Sequence, residues 1–473
     1  MLAELAQLVA KRNVRPRELV ELCVRRIETL DPELNAVVAL RVEEALREAD
    51  EVEAAVRGGG DADLPLAGIP MLVKDIEDVA GMVTTQGSLI LADAAAATAD
   101  GLVPARLRHA GAIVVGKTNC PEFAYEGYCA NRLFGATRNP WAPEWTPGGS
   151  SGGSAAALAA GLSPIATGTD GGGSLRIPAA WCGLVGFKPT NGLVPRQPIP
   201  PWIDLSTDGP LGVSLADVRL LFDLMRGPVA GDPTALPAWC PAPGRVPKRL
   251  LVADRFVDWG PLPAAVDDLF REAVGAMAET LKLTPQTIPP GDFFPDGNPD
   301  LEWYTICGVE HAHLLGEETI REKADRFDPW FLSWMEDALT TPTALYMQAR
   351  RRRFEYVRRL DELLGDDAVL LTPTLPVQGI LADGRVPGAD TPGAPASCYN
   401  TMVANVTGHP AISLPAGVSP NGVPFGIQAM TPRFADDMLL NVGDLWEAQH
   451  PWPRVAPGYA EFSLERRDPA IRQ

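Results

Sequence analysis

Trp145–Thr190 reads WTPGGSSGGSAAALAAGLSPIATGTDGGGSLRIPAAWCGLVGFKPT, and its two glycine-embedded serines, Ser150 and Ser174, organise what surrounds them. In Asp170-Gly-Gly-Gly-Ser174, glycines let backbone N–H groups turn inward with no Cβ in the way, as an oxyanion requires. Leu175 to Trp181 predicts a short helix, with Pro178 tolerated only near its first turn. Ser174 then sits near a helix N-terminus, whose dipole favours developing negative charge. Gly148-Gly-Ser-Ser-Gly-Gly153 permits an unusual backbone at Ser150. A glycine–serine run is also the composition of a flexible linker, but an Ala-rich helical stretch and apolar segments bracket this one closely.

A nucleophilic serine needs a base, and no histidine lies nearby in the chain. Lys74, in Leu66-Ala-Gly-Ile-Pro-Met-Leu-Val-Lys-Asp75, suits that role. A lysine at its ordinary pKa of about 10.4 is a cation at neutral pH and accepts no proton. Burial must lower that value by a few units, because desolvation disfavours the charged form. Ile69, Met71, Leu72 and Val73 fit a strand that carries Lys74 inward, with Asp75 on the opposite face. An isolated lysine is ordinarily a solvated surface charge; this apolar flank argues otherwise. The set reads as a Ser–Ser–Lys amide-cleaving site rather than a Ser–His–Asp one.

Composition narrows the setting. The chain has 473 residues, 46% hydrophobic and 21% charged, ordinary for a globular enzyme with a sizeable core. Its formal charge of −19 argues against nucleic acid or an anionic membrane surface as partner. Glu4 interrupts the apolar opening Met1–Ala10, there is no basic leader, and no apolar run approaches bilayer length. The seven cysteines (Cys23, Cys120, Cys129, Cys182, Cys240, Cys307, Cys398) are scattered without a Cys-x-x-Cys pair. Neither a disulfide framework nor a zinc cluster is supported, and a cytoplasmic location is expected. His311-Ala-His313 beside Glu310 lacks the i, i+4 spacing of a helical zinc site, and the glycine loops lack nucleotide-binding spacing. No metal or cofactor is expected.

Periodicity gives the architecture. Pro16 suits a first helical residue, followed by a stripe of Leu19, Leu22, Cys23, Ile27 and Leu30. Val42, Ala45, Leu46, Ala49, Val52 and Val56 make a second stripe, ending at Gly58-Gly-Gly60. Short apolar runs at Ala112–Val115, Pro164–Thr167, Leu250–Val252, Val369–Leu371, Ile412–Leu414 and Phe425–Ile427 read as buried strands. Together they predict an α/β protein whose mixed central sheet is covered by helices. Between about 225 and 365 the chain is rich in aromatics: Trp239, Trp259, Trp303, Trp330 and Trp334, with Phe293, Phe294 and Tyr304. They suit the core of a helical layer, with some available for a pocket wall. Trp202 and the Pro198–Pro201 cluster are similar candidates, and Arg350–Arg353 begins a basic patch.

The chain resembles the amidase signature family. The motifs are GGSSGGS at Gly148–Ser154, TD-x-GGS-x-R-x-P at Thr169–Pro178, CGL-x-G-x-KPT at Cys182–Thr190, GIP-x-x-VKD at Gly68–Asp75 and GKTN-x-PEFA at Gly116–Ala124. Asn405–Pro415 and Gly422–Gln428 look like the family's C-terminal return. The resemblance implies one α/β/α domain over 1–473. Within it come an N-terminal helical layer (1–60), a catalytic core (61–225), a variable helical segment that shapes the substrate site (226–365) and a C-terminal return (366–473).

It also implies Ser174 as nucleophile, Ser150 after a cis Gly149–Ser150 peptide as proton relay, and Lys74 as general base. Backbone N–H groups of Gly171, Gly172, Gly173 and Ser174 would hold the oxyanion, with Ser151, Asp170 and Arg176 in support. The family usually carries a larger residue at Gly171, so the glycine is expected to leave extra room beside the nucleophile. The implied activity is hydrolysis of a small amide through an acyl-serine, with a homodimer as the family-level oligomer. Rival readings are a glutamine-hydrolysing amidotransferase subunit, a carbamate or ester hydrolase, and a non-catalytic binding relative.

Overall fold

The apolar runs become strands because residues buried on both faces can be apolar throughout. In the computed structural model, which describes residues 1–58, 64–237, 244–258, 260–295, 297–387 and 400–464, all six expected runs lie in strands. The strands are β1 (Val37–Leu40), β2 (Pro70–Lys74), β3 (Ile113–Thr118), the hairpin β4 (Ala130–Asn131) and β5 (Gly135–Ala136), and β6 (Ile165–Asp170). They continue with β7 (Val185–Lys188), β8 (Thr207–Gly212), β9 (Arg249–Val252), β10 (Pro285–Thr287), β11 (Ala368–Pro373), β12 (Ala411–Val418) and β13 (Pro424–Met430). Apart from the hairpin they form one 11-stranded sheet, in the order β1-β3-β2-β6-β8-β7-β12-β13-β11-β9-β10. The sheet is mixed: β2 runs parallel to β3 and β6, whereas β8, β7, β12 and β13 pair antiparallel in turn.

Alternation along the strands divides the core between the two faces. On β11, Val369 and Leu371 join the larger cluster while Ala368 and Leu370 join a second one. β9 does the same, with Leu250 and Val252 on one side and Leu251 on the other. Helices cover both faces. Pro16–Leu34 begins with proline in its first turn and buries Leu19, Leu22, Cys23 and Ile27. It packs against Val42–Arg57, and both lie against β3. The second cluster sits under Pro299–Leu315 and Thr343–Leu364, which contribute Trp303, Ile306, Tyr356 and Leu360. Among the described residues, no helix is long and apolar enough to cross a membrane. Trp239, Trp259, Cys240 and Cys398 lie outside the described residues.

Candidate active site

Two parallel strands bring the chemistry together. β2 and β6 pair in register at Leu72 and Ala166, so their C-terminal ends present Lys74 and Thr169 side by side. Ligands in open α/β sheets gather beyond such strand ends. Ser150 precedes the helix Gly152–Ala159 that leads into β6, and Ser174 follows β6 just before the helix Arg176–Cys182. The Gly149–Ser150 peptide is cis.

Lys74 is fully buried. Its Nζ donates to Ser150 Oγ at 2.7 Å and to Thr169 Oγ1 at 2.9 Å, while its backbone N–H donates to Thr167 Oγ1 at 3.0 Å. Burial pulls the Lys74 ammonium down to about 8, against Glu77 and Asp208, whose charge pulls it back up. Asp75 points elsewhere, 3.1 Å from Lys117 Nζ, as strand alternation requires.

Asp170 and Arg176 clamp the loop that carries Ser174. Both are fully buried and meet twice, Arg176 Nη2 to Asp170 Oδ1 at 2.8 Å and Nε to Oδ2 at 2.9 Å. Arg176 also donates to Thr401 O, Gln428 Oε1 and Asn405 Oδ1, and Asn405 Nδ2 returns a bond to Asp170 O. Burial pushes the Asp170 carboxyl up, but Arg176 and Asn405 outweigh it and hold it below the ordinary carboxylate range. Ser151 Oγ bonds the Thr169 carbonyl at 3.4 Å, and its N–H donates to Ser174 O at 3.3 Å.

The glycine loop is more constrained than its sequence suggests. Gly173 N–H donates to Asp170 Oδ1 at 2.8 Å, so this amide is turned to the carboxylate. Among the described residues, the N–H groups of Gly171, Gly172 and Ser174 have no such partner. Thr401 Oγ1 donates to Gly172 O at 2.6 Å, and Trp303 Nε1 donates to Gly171 O at 2.7 Å. The extra room expected beside Gly171 is absent: a Cβ there would lie 2.4 Å from Cε3 and Cζ3 of Trp202, whose indole fills the space. The Ser150 loop is as tight. A Cβ on Gly149 would sit 2.5 Å from Glu126 O, and one on Gly153 2.4 Å from Asn119 N.

Ser150, Ser174, Thr169 and Gly171 open onto a cavity of about 240 Å³, walled further by Phe123, Leu102, Pro198–Trp202 and Leu314. Of the aromatics singled out in sequence, Trp202 lines this cavity. Trp303 and Trp334 lie behind it, stacked with ring centroids 6.2 Å apart, while Trp330 is half-exposed. Phe293 and Phe294 belong to the second core cluster, with Tyr304 packed against it. Three of the four arginines of the basic patch are paired in place: Arg350 with Asp204 and Glu310, Arg353 with Asp204, and Arg352 with Glu302, while Arg351 is exposed. The buried His311 ring meets Phe123 edge-on at 5.2 Å in an aromatic cluster.

Sequence reasoning missed Thr167, Thr169, Glu77, Asp208, Thr401, Asn405 and Gln428 as parts of this site. Thr167 and Thr169 carry a readable signal, polar residues at i, i+2 on one face of a buried strand. Glu77 lies only three residues past Lys74, and the others arrive through pairings between distant segments.

Comparison with known proteins agrees with this geometry. The amidase family profile matches residues 18–440. An acylamidase of Rhodococcus erythropolis is 33% identical, with 96% of each chain covered. A bacterial aryl acylamidase of the amidase signature enzymes superposes with a TM-score of 0.86 at 27% identity, covering 95% of this chain and 96% of its own. A 6-aminohexanoate cyclic dimer hydrolase superposes with a TM-score of 0.85 at 28% identity, covering 97% and 98%. This chain belongs to the amidase family, and its reaction is hydrolysis of an amide C–N bond.

Proposed function

We propose that this amidase works through Ser174 as nucleophile, Ser150 as proton relay and Lys74 as general base. The observation that carries the reading is the 2.7 Å contact between Lys74 Nζ and Ser150 Oγ in a fully buried setting. Neutral Lys74 accepts the Ser150 proton as Ser150 accepts that of Ser174. Ser174 Oγ bonds to the substrate carbonyl carbon, whose oxygen becomes an oxyanion. The unpaired amides of Gly171, Gly172 and Ser174 receive it, a set narrowed from four donors because Gly173 serves Asp170. The C–N bond then breaks, and the proton held on Lys74 returns through Ser150 to the leaving amine. Water enters, gives a proton to the same relay, and attacks the acyl carbon. The ester to Ser174 breaks as the relay returns its proton to Ser174 Oγ, and the carboxylic acid leaves.

Asp170 and Arg176 hold the oxyanion loop, and Ser151 ties the two serine segments together. The test is intact mass after fluorophosphonate treatment, with peptide mapping. One adduct on Ser174, absent in Ser174→Ala and strongly slowed in Lys74→Ala, is expected. An adduct on another residue, or turnover retained in Ser174→Ala, overturns the assignment.

A further inference from the structure

The cavity that holds Ser150 and Ser174 is also lined by two acidic residues that the proposed mechanism leaves unused, Glu77 and Asp208. Their placement follows from the strands. Asp208 on β8 is the direct antiparallel partner of Thr169 on β6, so the two side chains share a sheet face. Glu77 follows β2 by three residues and accepts a hydrogen bond from Thr167 Oγ1, on the same face of β6. Both carboxyls therefore lie on the Lys74 side of the sheet.

Neither is neutralised by contact. Glu77 is 8% exposed, and its Oε1 is buried with no hydrogen-bond partner among the described residues. Among those residues, no ion pair reaches either carboxyl. The nearby cations are committed elsewhere. Arg196, on the same wall, donates to the carbonyls of Ile203 and Ser206 and to Thr234 Oγ1, with its Nε 3.8 Å from Asp232. Lys117 donates to Glu77's backbone oxygen and lies 3.1 Å from the Asp75 carboxylate. Lys74 must be neutral to act. Asp78, a third acid on the wall, accepts from Thr84. The rest of the lining is largely apolar or aromatic, Trp202 included.

We propose that Glu77 and Asp208 form a cation-recognition subsite, so that the preferred substrate is an amide bearing an ammonium or amidinium group on a short arm from the scissile carbonyl. The inference rests on the Ser174 reading above. A buried, unpartnered carboxylate oxygen costs free energy that a charged donor recovers. Burial pushes both carboxyls up, Glu77 further because of Asp208, so a bound ammonium draws the pair back to its ionised form. The apolar and aromatic lining, Trp202 included, suits the apolar arm.

The experiment compares matched amides with the full chain. One series is p-nitroanilides of ω-amino acids with two to five methylenes against the methyl-terminated acyl anilides. The other is benzamides of ω-aminoalkylamines against alkyl benzamides. At least one cationic amide is expected to exceed its neutral partner about 100-fold in kcat/KM. Glu77→Gln and Asp208→Asn should each raise KM for that cationic amide by roughly 10- to 100-fold, the size of one charge-assisted hydrogen bond. Both variants also act on Lys74 and so on kcat for every substrate, and the readout is therefore the KM ratio of cationic to neutral amide, which should rise by that factor and which a merely structural role would leave unchanged. Should either variant fail to fold, the wild-type protein supplies the second readout: butylammonium slows fluorophosphonate labelling of Ser174, and 1-butanol at the same concentration does not. Equal or better turnover of neutral amides in both series, with Ser174 still labelled, overturns the subsite and leaves the nucleophile standing. No labelling and no hydrolysis of either series removes the nucleophile, and the subsite with it.

Discussion

Lys74 shows how much depends on where one side chain is placed. In the proposed mechanism its neutral form is the base, and burial brings its pKa to about 8, so the active fraction should grow as pH rises through that value. The expected kcat/KM profile has an acid limb near 8, with activity at pH 6 roughly a hundredfold below the plateau. A flat profile between pH 6 and 9 would mean that another group takes the proton. Gly171 gives a second outcome at this scale. In Gly171→Ala the new Cβ meets the Trp202 ring at 2.4 Å, and overpacking of this kind costs about 1–3 kcal/mol. That variant should lose about tenfold or more in kcat. Adding Trp202→Leu should restore part of the loss, whereas additive losses would show that the contact is not what limits the loop. Lys74, Ser150 and Ser174, the proposed triad, could be singled out in sequence because each sits in its own dense local motif, and the structure brings Lys74 to Ser150 and both serines to one cavity. Asp208 was not, since its partner Thr169 is chosen by strand register rather than by neighbours in the chain.

At the level of elements, the helix Arg176–Cys182 is too short to hold its position by its own hydrogen bonds. It is pinned by the Asp170–Arg176 pair, both partners 0% exposed, and through Arg176 to Thr401, Gln428 and Asn405. Removing one partner of a buried pair strands the other charge. Arg176→Met should therefore lower stability by about 3–5 kcal/mol in urea unfolding. A change below about 1 kcal/mol would show that Asp170 finds another partner. The apolar strands were legible because a run buried on both faces has no polar interruption. Two of the missed ones carry no such signal. β8 reads TDGPLG, with two glycines and a proline, and β10 reads PQT and is exposed along its length. They are strands because their neighbours pair with them, not because their residues prefer it.

Across the molecule, chain order and spatial order diverge. β12 and β13, from the last quarter of the chain, lie between β7 and β11 near the middle of the sheet. The N-terminus is likewise tied to a later segment, where Leu2 N–H donates to Asp217 Oδ1 at 2.8 Å. A cut between β8 and β9 leaves two contiguous sub-sheets, but the β7–β12 ladder, the bonds from Arg176 to Thr401, Gln428 and Asn405, and one apolar cluster shared by both bind them into a single unit. Unfolding followed by tryptophan fluorescence and by far-ultraviolet circular dichroism should therefore give coincident transitions. Two resolved transitions would show that the sheet divides into independently stable parts.

The crowding around Gly149 and Gly153 carries a lesson about descent. Backbone atoms of Glu126 and Asn119 stand where a side chain would begin, so replacing these glycines breaks the fold before it touches the chemistry. A descendant that had abandoned the reaction would still be obliged to keep them. The glycines of the motif testify to ancestry and architecture. On the proposed mechanism, surviving activity is better judged from Lys74, Ser150 and Ser174, which chemistry rather than packing would compel a lineage to retain.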